Sequence, residues 1–196
     1  ELCFLGEYAK NFDLKTIYIG GGTPTSLTEQ QLEYLFESLA QYFDLKKQGI
    51  EFSMEAGRPD TITKQKLYIM KQYGVNRISI NPQTMNQKTL HLIGRQHSVE
   101  EVKKVFWQSR ELGYDNINMD LILGLPGETL QDVEYTMNEI ETLHPDNLTI
   151  HTLAIKRASR LKQEFDSYTL TNAQELEKMI DLSGEYAQKM NMLPYY

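Results

Sequence analysis

Three consecutive glycines and a few polar side chains at the ends of apolar runs are the residues of this 196-residue chain best suited to chemistry. Thr16-Ile17-Tyr18-Ile19 runs into Gly20-Gly21-Gly22-Thr23-Pro24-Thr25. Three residues without a Cβ let a ligand approach backbone N–H and C=O groups directly, although a tight strand-to-helix turn would use the same sequence. No Gly-Lys-Ser/Thr follows, and the last glycine of a dinucleotide fingerprint is missing, so nucleotide phosphate binding is disfavoured. Glu55 closes a second apolar run. A carboxylate there wants a cationic or hydroxyl partner, either from a ligand or from Arg58 or Arg77. Gln83, Asp120 and Ala154 stand at the ends of later runs, and Arg95 follows a glycine. Its guanidinium fork could clamp a carboxylate through two parallel hydrogen bonds, or simply be solvated. His91, His97, His144 and His151 have no metal-ligand spacing. Lys156, Arg157, Arg160 and Lys162 would attract an acidic substrate or form a solvated face.

The elements that must position these groups follow from periodicity. Strands start near residues 16, 50, 77, 116 and 147, at the spacing of βαβ units. Between them, Leu32, Leu35, Phe36, Leu39 and Phe43 mark a helix from about 29 to 43, opened by a Thr28–Gln31 capping box. A short helix from about 64 to 73 stops at Gly74. A helical piece spans about 85 to 92, and a helix with Val102, Val105, Phe106 and Leu112 inward is opened by Ser98–Glu101. Further helices cover 130 to 143 and the region after a Thr171–Gln174 box, the last with Leu176, Met179, Ile180 and Ala187 on its apolar face. Right-handed crossovers then give an α/β fold with a parallel sheet, and a (β/α) barrel is preferred over an open doubly wound sheet. Chemistry in such barrels sits at the strands' C-terminal ends, which here carry Gly20 to Gly22, Glu55, Gln83, Asp120 and Ala154. Five strand ends with polar or permissive residues favour one shared ligand site over the plain turn.

Composition narrows the classes. The formal charge of −7 argues against a nucleic-acid-binding face. No apolar run approaches a membrane span and no signal-peptide pattern opens the chain, so a cytoplasmic protein is expected. Cys3 is the only cysteine, which excludes a disulfide or a multi-cysteine metal site within this chain. No lysine on the identified strand ends could form a Schiff base, so an aldolase-like barrel is disfavoured.

Five segments together resemble the radical S-adenosylmethionine family and, within it, the oxygen-independent coproporphyrinogen III oxidase group. They are Tyr18 to Thr25, Glu55, Asn76-Arg77-Ile78-Ser79 with Gln83, Ile93-Gly94-Arg95 with His97, and Asp120 to Thr129. The resemblance implies a TIM-barrel-like partial parallel (β/α) barrel, about five of whose six strands lie in this chain. It implies S-adenosylmethionine bound beside a [4Fe-4S] cluster, an electron donor, and a 5′-deoxyadenosyl radical that abstracts hydrogen from a tetrapyrrole substrate. In the oxidase the propionates of coproporphyrinogen III lose CO₂ on the way to protoporphyrinogen IX in haem biosynthesis. By the same resemblance Gly20, Gly21, Gly22 and Thr23 hold the methionine end of the cofactor and Arg95 clamps its carboxylate. Glu55, Gln83 and Asp120 serve its amino and ribose hydroxyl groups, in an order left open, and Ala154 offers main-chain contacts to the adenine.

The family's Cys-x₃-Cys-x₂-Cys loop, upstream of the glycine run, has no counterpart here. The expectation is therefore a truncated radical S-adenosylmethionine core over 1–196, with the cluster loop and a C-terminal substrate region absent and no turnover by itself. Glu55-Ala56-Gly57-Arg58-Pro59 and Ile80-Asn81-Pro82-Gln83 depart from the family's usual Glu-x-Asn-Pro and Gly-x-Gln, and point to a HemZ-like side branch. A haem chaperone branch without decarboxylase activity is the alternative.

Overall fold

The computed structural model describes residues 2–154 and 171–195. Its elements are α1 (Leu2–Ala9), β1 (Thr16–Ile19), α2 (Glu29–Ala40), β2 (Glu51–Gly57), α3 (Lys64–Gln72), β3 (Arg77–Gln83), α4 (Gln87–Leu92), α5 (Val99–Glu111), β4 (Ile117–Leu123), α6 (Leu130–Leu143), β5 (Asn147–Thr152) and α7 (Ala173–Lys189). The five strands form one sheet in the order β1-β2-β3-β4-β5, with β1 parallel to β2 and β2 parallel to β3. The expected α/β fold with a parallel sheet is thus observed. The chain packs as two units, Glu1–Asn81 with Glu101–Asn118, and Pro82–Glu100 with Met119–Tyr196.

In the first unit the core lies between the sheet and α2 and α3. Leu32, Phe36 and Leu39 are the buried stripe of α2, as the spacing requires. Phe36 meets Phe52 of β2 edge-on at 5.9 Å between centroids and stacks on Tyr73 at 5.2 Å. The Thr28–Gln31 capping box forms in both directions. The helix ends at Ala40 rather than Phe43, and a turn carries the chain on. Gly74 is a steric necessity: φ is +95°, and a Cβ there would stand 2.7 Å from the Leu45 carbonyl oxygen. Tyr114 closes the unit from beyond α5. Its hydroxyl donates to the Leu67 carbonyl at 2.9 Å, and burial pushes the phenol well above its ordinary pKa.

In the second unit α6 and α7 pack on each other. Val133, Met137, Ile140 and Leu143 are buried on α6, and Met179 and Ser183 on α7. Ile180, expected on the apolar face, is 46% exposed. The last helix is capped one residue later than the expected Thr171–Gln174 box, because the Asn172 side chain accepts the Glu175 N–H at 2.9 Å. Strand β5 ends at Thr152, so Ala154 lies two residues past it, although the Leu153 N–H still donates to the Leu123 carbonyl at 2.9 Å. Lys156, Arg157, Arg160 and Lys162 lie outside the described residues. Among the described residues, no helix is long and apolar enough to cross a membrane.

Candidate functional site

The glycine run divides into an open half and an anchored half. Pro24 and Thr25 form the anchor, a buried 3₁₀ turn, Pro24–Ser26. The Thr25 hydroxyl donates to the Ala56 carbonyl at 2.5 Å and lies 2.6 Å from Thr61 Oγ1. Lys66 Nζ reaches in to the Thr25 and Thr61 carbonyls at 2.7 and 3.0 Å. The three glycines before the turn are exposed, and they differ in what the fold asks of them. At Gly20 a Cβ would lie 2.3 Å from the Tyr18 hydroxyl oxygen. Gly21 has φ +112°, a conformation L side chains rarely adopt. Gly22 has neither constraint: no described atom lies within 4 Å of where its Cβ would be, and its φ is not in the left-handed region. The fold makes no demand for glycine there.

Thr23 carries the strain of this corner, with φ +63° and ψ +84°. Its N–H donates to the Gly21 carbonyl at 2.8 Å, which tightens the loop around Gly22. Gln83, the last residue of β3, is also left-handed at φ +72° and is buried. Among the described residues four non-glycine positions have positive φ, and two of them are candidate site residues. Strain held at such positions is a known mark of functional corners.

Glu55 sits beside the glycine strand on the neighbouring β2. Its Oε2 accepts the Gly21 N–H at 3.3 Å and the Tyr18 hydroxyl at 3.1 Å. The bland alternative for Glu55, pairing with Arg58 or Arg77, is not what the structure shows. Arg58 pairs with Asp60 at 2.6 Å and Arg77 with Glu51 at 3.2 Å. Within the first unit, then, Gly20 to Thr23 and Glu55 come together.

In the second unit Asp120 is half-buried in the middle of β4, not at its end as expected, and shares a face with Ile122. Arg95 follows the left-handed Gly94 beyond α4, its N–H donating to the Leu90 carbonyl at 2.9 Å. Ala154 is exposed. His97 is buried, with Nε2 3.4 Å from the Pro82 carbonyl oxygen, and so fills a structural place.

Glu128 is a buried polar group to which sequence reasoning gave no role. Its Oε1 accepts the Thr84 hydroxyl at 2.6 Å, with Thr89 close by. Burial raises its pKa above the usual carboxylate range, the two threonines pull it back, and Asp132 nearby raises it. Thr136 Oγ1 lies 3.2 Å from Thr84 Oγ1 and accepts the Met85 N–H at 3.2 Å, while Asn86 Nδ2 donates to Asp132 at 2.8 Å. The network therefore fixes the two residues after Gln83. The available signal was a Glu after Pro126-Gly127 at a helix start, which reads equally as a solvated first-turn acid.

Comparison with known proteins gives the family. The model of the radical SAM superfamily matches residues 5–140. The chain belongs to the radical SAM superfamily. It is 42% identical, over 198 aligned positions, to the oxygen-independent coproporphyrinogen-III oxidase-like protein HemZ of Bacillus subtilis, covering 100% of this chain and 40% of that protein. It is 41% identical to the heme chaperone HemW of the same organism, over 74% of this chain and 38% of that one. Among solved structures, coproporphyrinogen III oxidase (HemN) from Escherichia coli, described as a radical SAM enzyme, superposes with a TM-score of 0.85. It covers 96% of this chain and 43% of that one at 23% identity, and shows the same fold. The chain spans about two fifths of the length of the curated relatives it matches. The likeness to HemZ- and HemN-like proteins and the barrel-type fold are those the motifs implied.

The superfamily implies S-adenosylmethionine and a [4Fe-4S] cluster. The residues of this chain do not fit a cluster. Cys3 is its only cysteine, and no group of three or more metal-ligating side chains is assembled among the described residues. They do fit an amino-acid-bearing ligand, since an open glycine, a tight backbone loop and a carboxylate with a lone-pair face to spare adjoin at the end of β1.

Proposed function

We propose that this chain is the S-adenosylmethionine-binding core of a radical SAM protein acting on tetrapyrroles. Gly20, Gly21, Gly22 and Thr23 take the methionine end through backbone groups, with Glu55 beside them. Arg95 takes its carboxylate, Gln83 and Asp120 serve ribose hydroxyls, and Ala154 offers main-chain contacts to the adenine. The observation that carries the reading is Gly22. It is a glycine for which the protein's own packing and backbone supply no reason, next to a strained Thr23. A ligand in van der Waals contact with that Cα supplies one.

When bound, S-adenosylmethionine supplies the adenosyl group for radical chemistry. What this chain's residues do is bind its amino-acid end, orient it by fixed backbone N–H groups and hold its charges against Glu55 and Arg95. The substrate reading is oxidative decarboxylation of coproporphyrinogen III, supported by the names of the HemZ and HemN relatives. A second reading, haem delivery without decarboxylation, is favoured by the HemW relative at 41% identity.

Two measurements on the intact protein test these readings. Arg95→Ala should weaken S-adenosylmethionine binding by about 100-fold in calorimetry, the scale of losing a bidentate carboxylate contact. Unchanged affinity would contradict the site. Conversion of coproporphyrinogen III to a vinyl product supports the oxidase, and stoichiometric haem binding without conversion supports the chaperone.

A further inference from the structure

We propose that Tyr18 is a positioning residue whose phenol holds Glu55 with one carboxylate oxygen turned towards the ligand's ammonium. The proposal rests on the reading of Gly20 to Thr23 as the seat of the methionine end. Tyr18 is the third residue of β1, and Gly20 follows the strand directly, two positions on. The Tyr18 ring lies back along β1 onto Gly20, so closely that a Cβ there would stand 2.4 Å from ring carbons Cε1 and Cζ. Only glycine at position 20 leaves room for that posture. In the register of β1 on β2, Tyr18 faces Ser53 and Ile19 faces Met54, which brings Glu55 level with the glycine.

The ring is 67% exposed, yet its hydroxyl turns to Glu55 Oε2. With the Gly21 N–H on the same oxygen, Oε2 has two donors and the carboxylate plane is set. Oε1 takes no hydrogen bond among the described residues. It is presented where a cation can reach it. Because Gly21 belongs to both the loop and this bond, the open oxygen serves the ligand's amino-acid end rather than its ribose.

The test is a double-mutant cycle on the intact protein, titrated with S-adenosylmethionine and with 5′-methylthioadenosine, which has the nucleoside but no amino-acid end. Tyr18→Phe keeps the ring over Gly20 and should leave the thermal midpoint unchanged. It should weaken S-adenosylmethionine about fivefold to tenfold, the scale of one hydrogen bond to a charged group. It should leave 5′-methylthioadenosine unaffected and add nothing in a Glu55→Gln background. If Glu55→Gln weakens S-adenosylmethionine but Tyr18→Phe does not, the positioning role is overturned and the site reading stands. Equal losses for both ligands would overturn the assignment to the amino-acid end. Full affinity in Glu55→Gln would overturn the site reading itself.

Discussion

Two glycine-bearing loops at strand ends in this chain, Gly20 to Thr23 after β1 and Gly124 to Glu128 after β4, solve opposite problems. The first is exposed and leaves Gly22 with no neighbour of its own. The second is turned inward. Leu125 and Glu128 are buried, a Cβ on the left-handed Gly124 would press on Leu176 at 3.3 Å, and the Glu128 carboxylate is held by the Thr84 hydroxyl. Both look alike as text. The contrast separates a loop with open space around it from a loop that fastens the protein together.

Stability measurements should break the resemblance between the two loops. The largest effect is expected for Glu128→Ala, which strips an acceptor from Thr84 and leaves a void. A loss of about 2–3 kcal/mol in denaturant unfolding is expected, and a loss under about 0.5 kcal/mol would show the network to be idle. Gly124→Ala should cost about 1–2 kcal/mol, from its φ of +75° and the contact with Leu176.

The smallest effect concerns pH. Because the folded-state pKa of Glu128 is raised above the ordinary 4.5, its contribution to stability is full below about 4.5 and is lost as pH rises through the raised value. Wild type should therefore lose ground to Glu128→Gln between pH 4.5 and neutrality. Thermal midpoints that differ by a constant amount across that window would contradict the raised pKa.

Much of this was legible in the sequence. Strand and helix placement followed from periodicity, because Leu32, Phe36 and Leu39 or Val133, Met137 and Ile140 can be buried together only on one helical face. The candidate residues were picked as types at strand ends, and the structure moves some of them off those ends. Asp120 is central because β4 covers the expected 117–123 and runs on three residues past it, and β5 stopped short of Ala154. The choice of partner for Glu55 was not legible at all. Arg58 and Arg77 are both near in sequence terms, and only the fold assigns them to Asp60 and Glu51. Nor does text distinguish the three glycines: a tyrosine ring meets Gly20, a backbone angle sets Gly21, and among the described residues nothing constrains Gly22.

That last glycine gives the most direct test. Calorimetric titration of S-adenosylmethionine into the intact protein and its Gly22→Ala variant, with a thermal midpoint for each, separates ligand approach from fold. The account predicts an unchanged midpoint and an affinity reduced about tenfold or more, as a methyl group intrudes where the ligand must lie. Equal affinity in the variant would contradict the assignment of this loop to the cofactor.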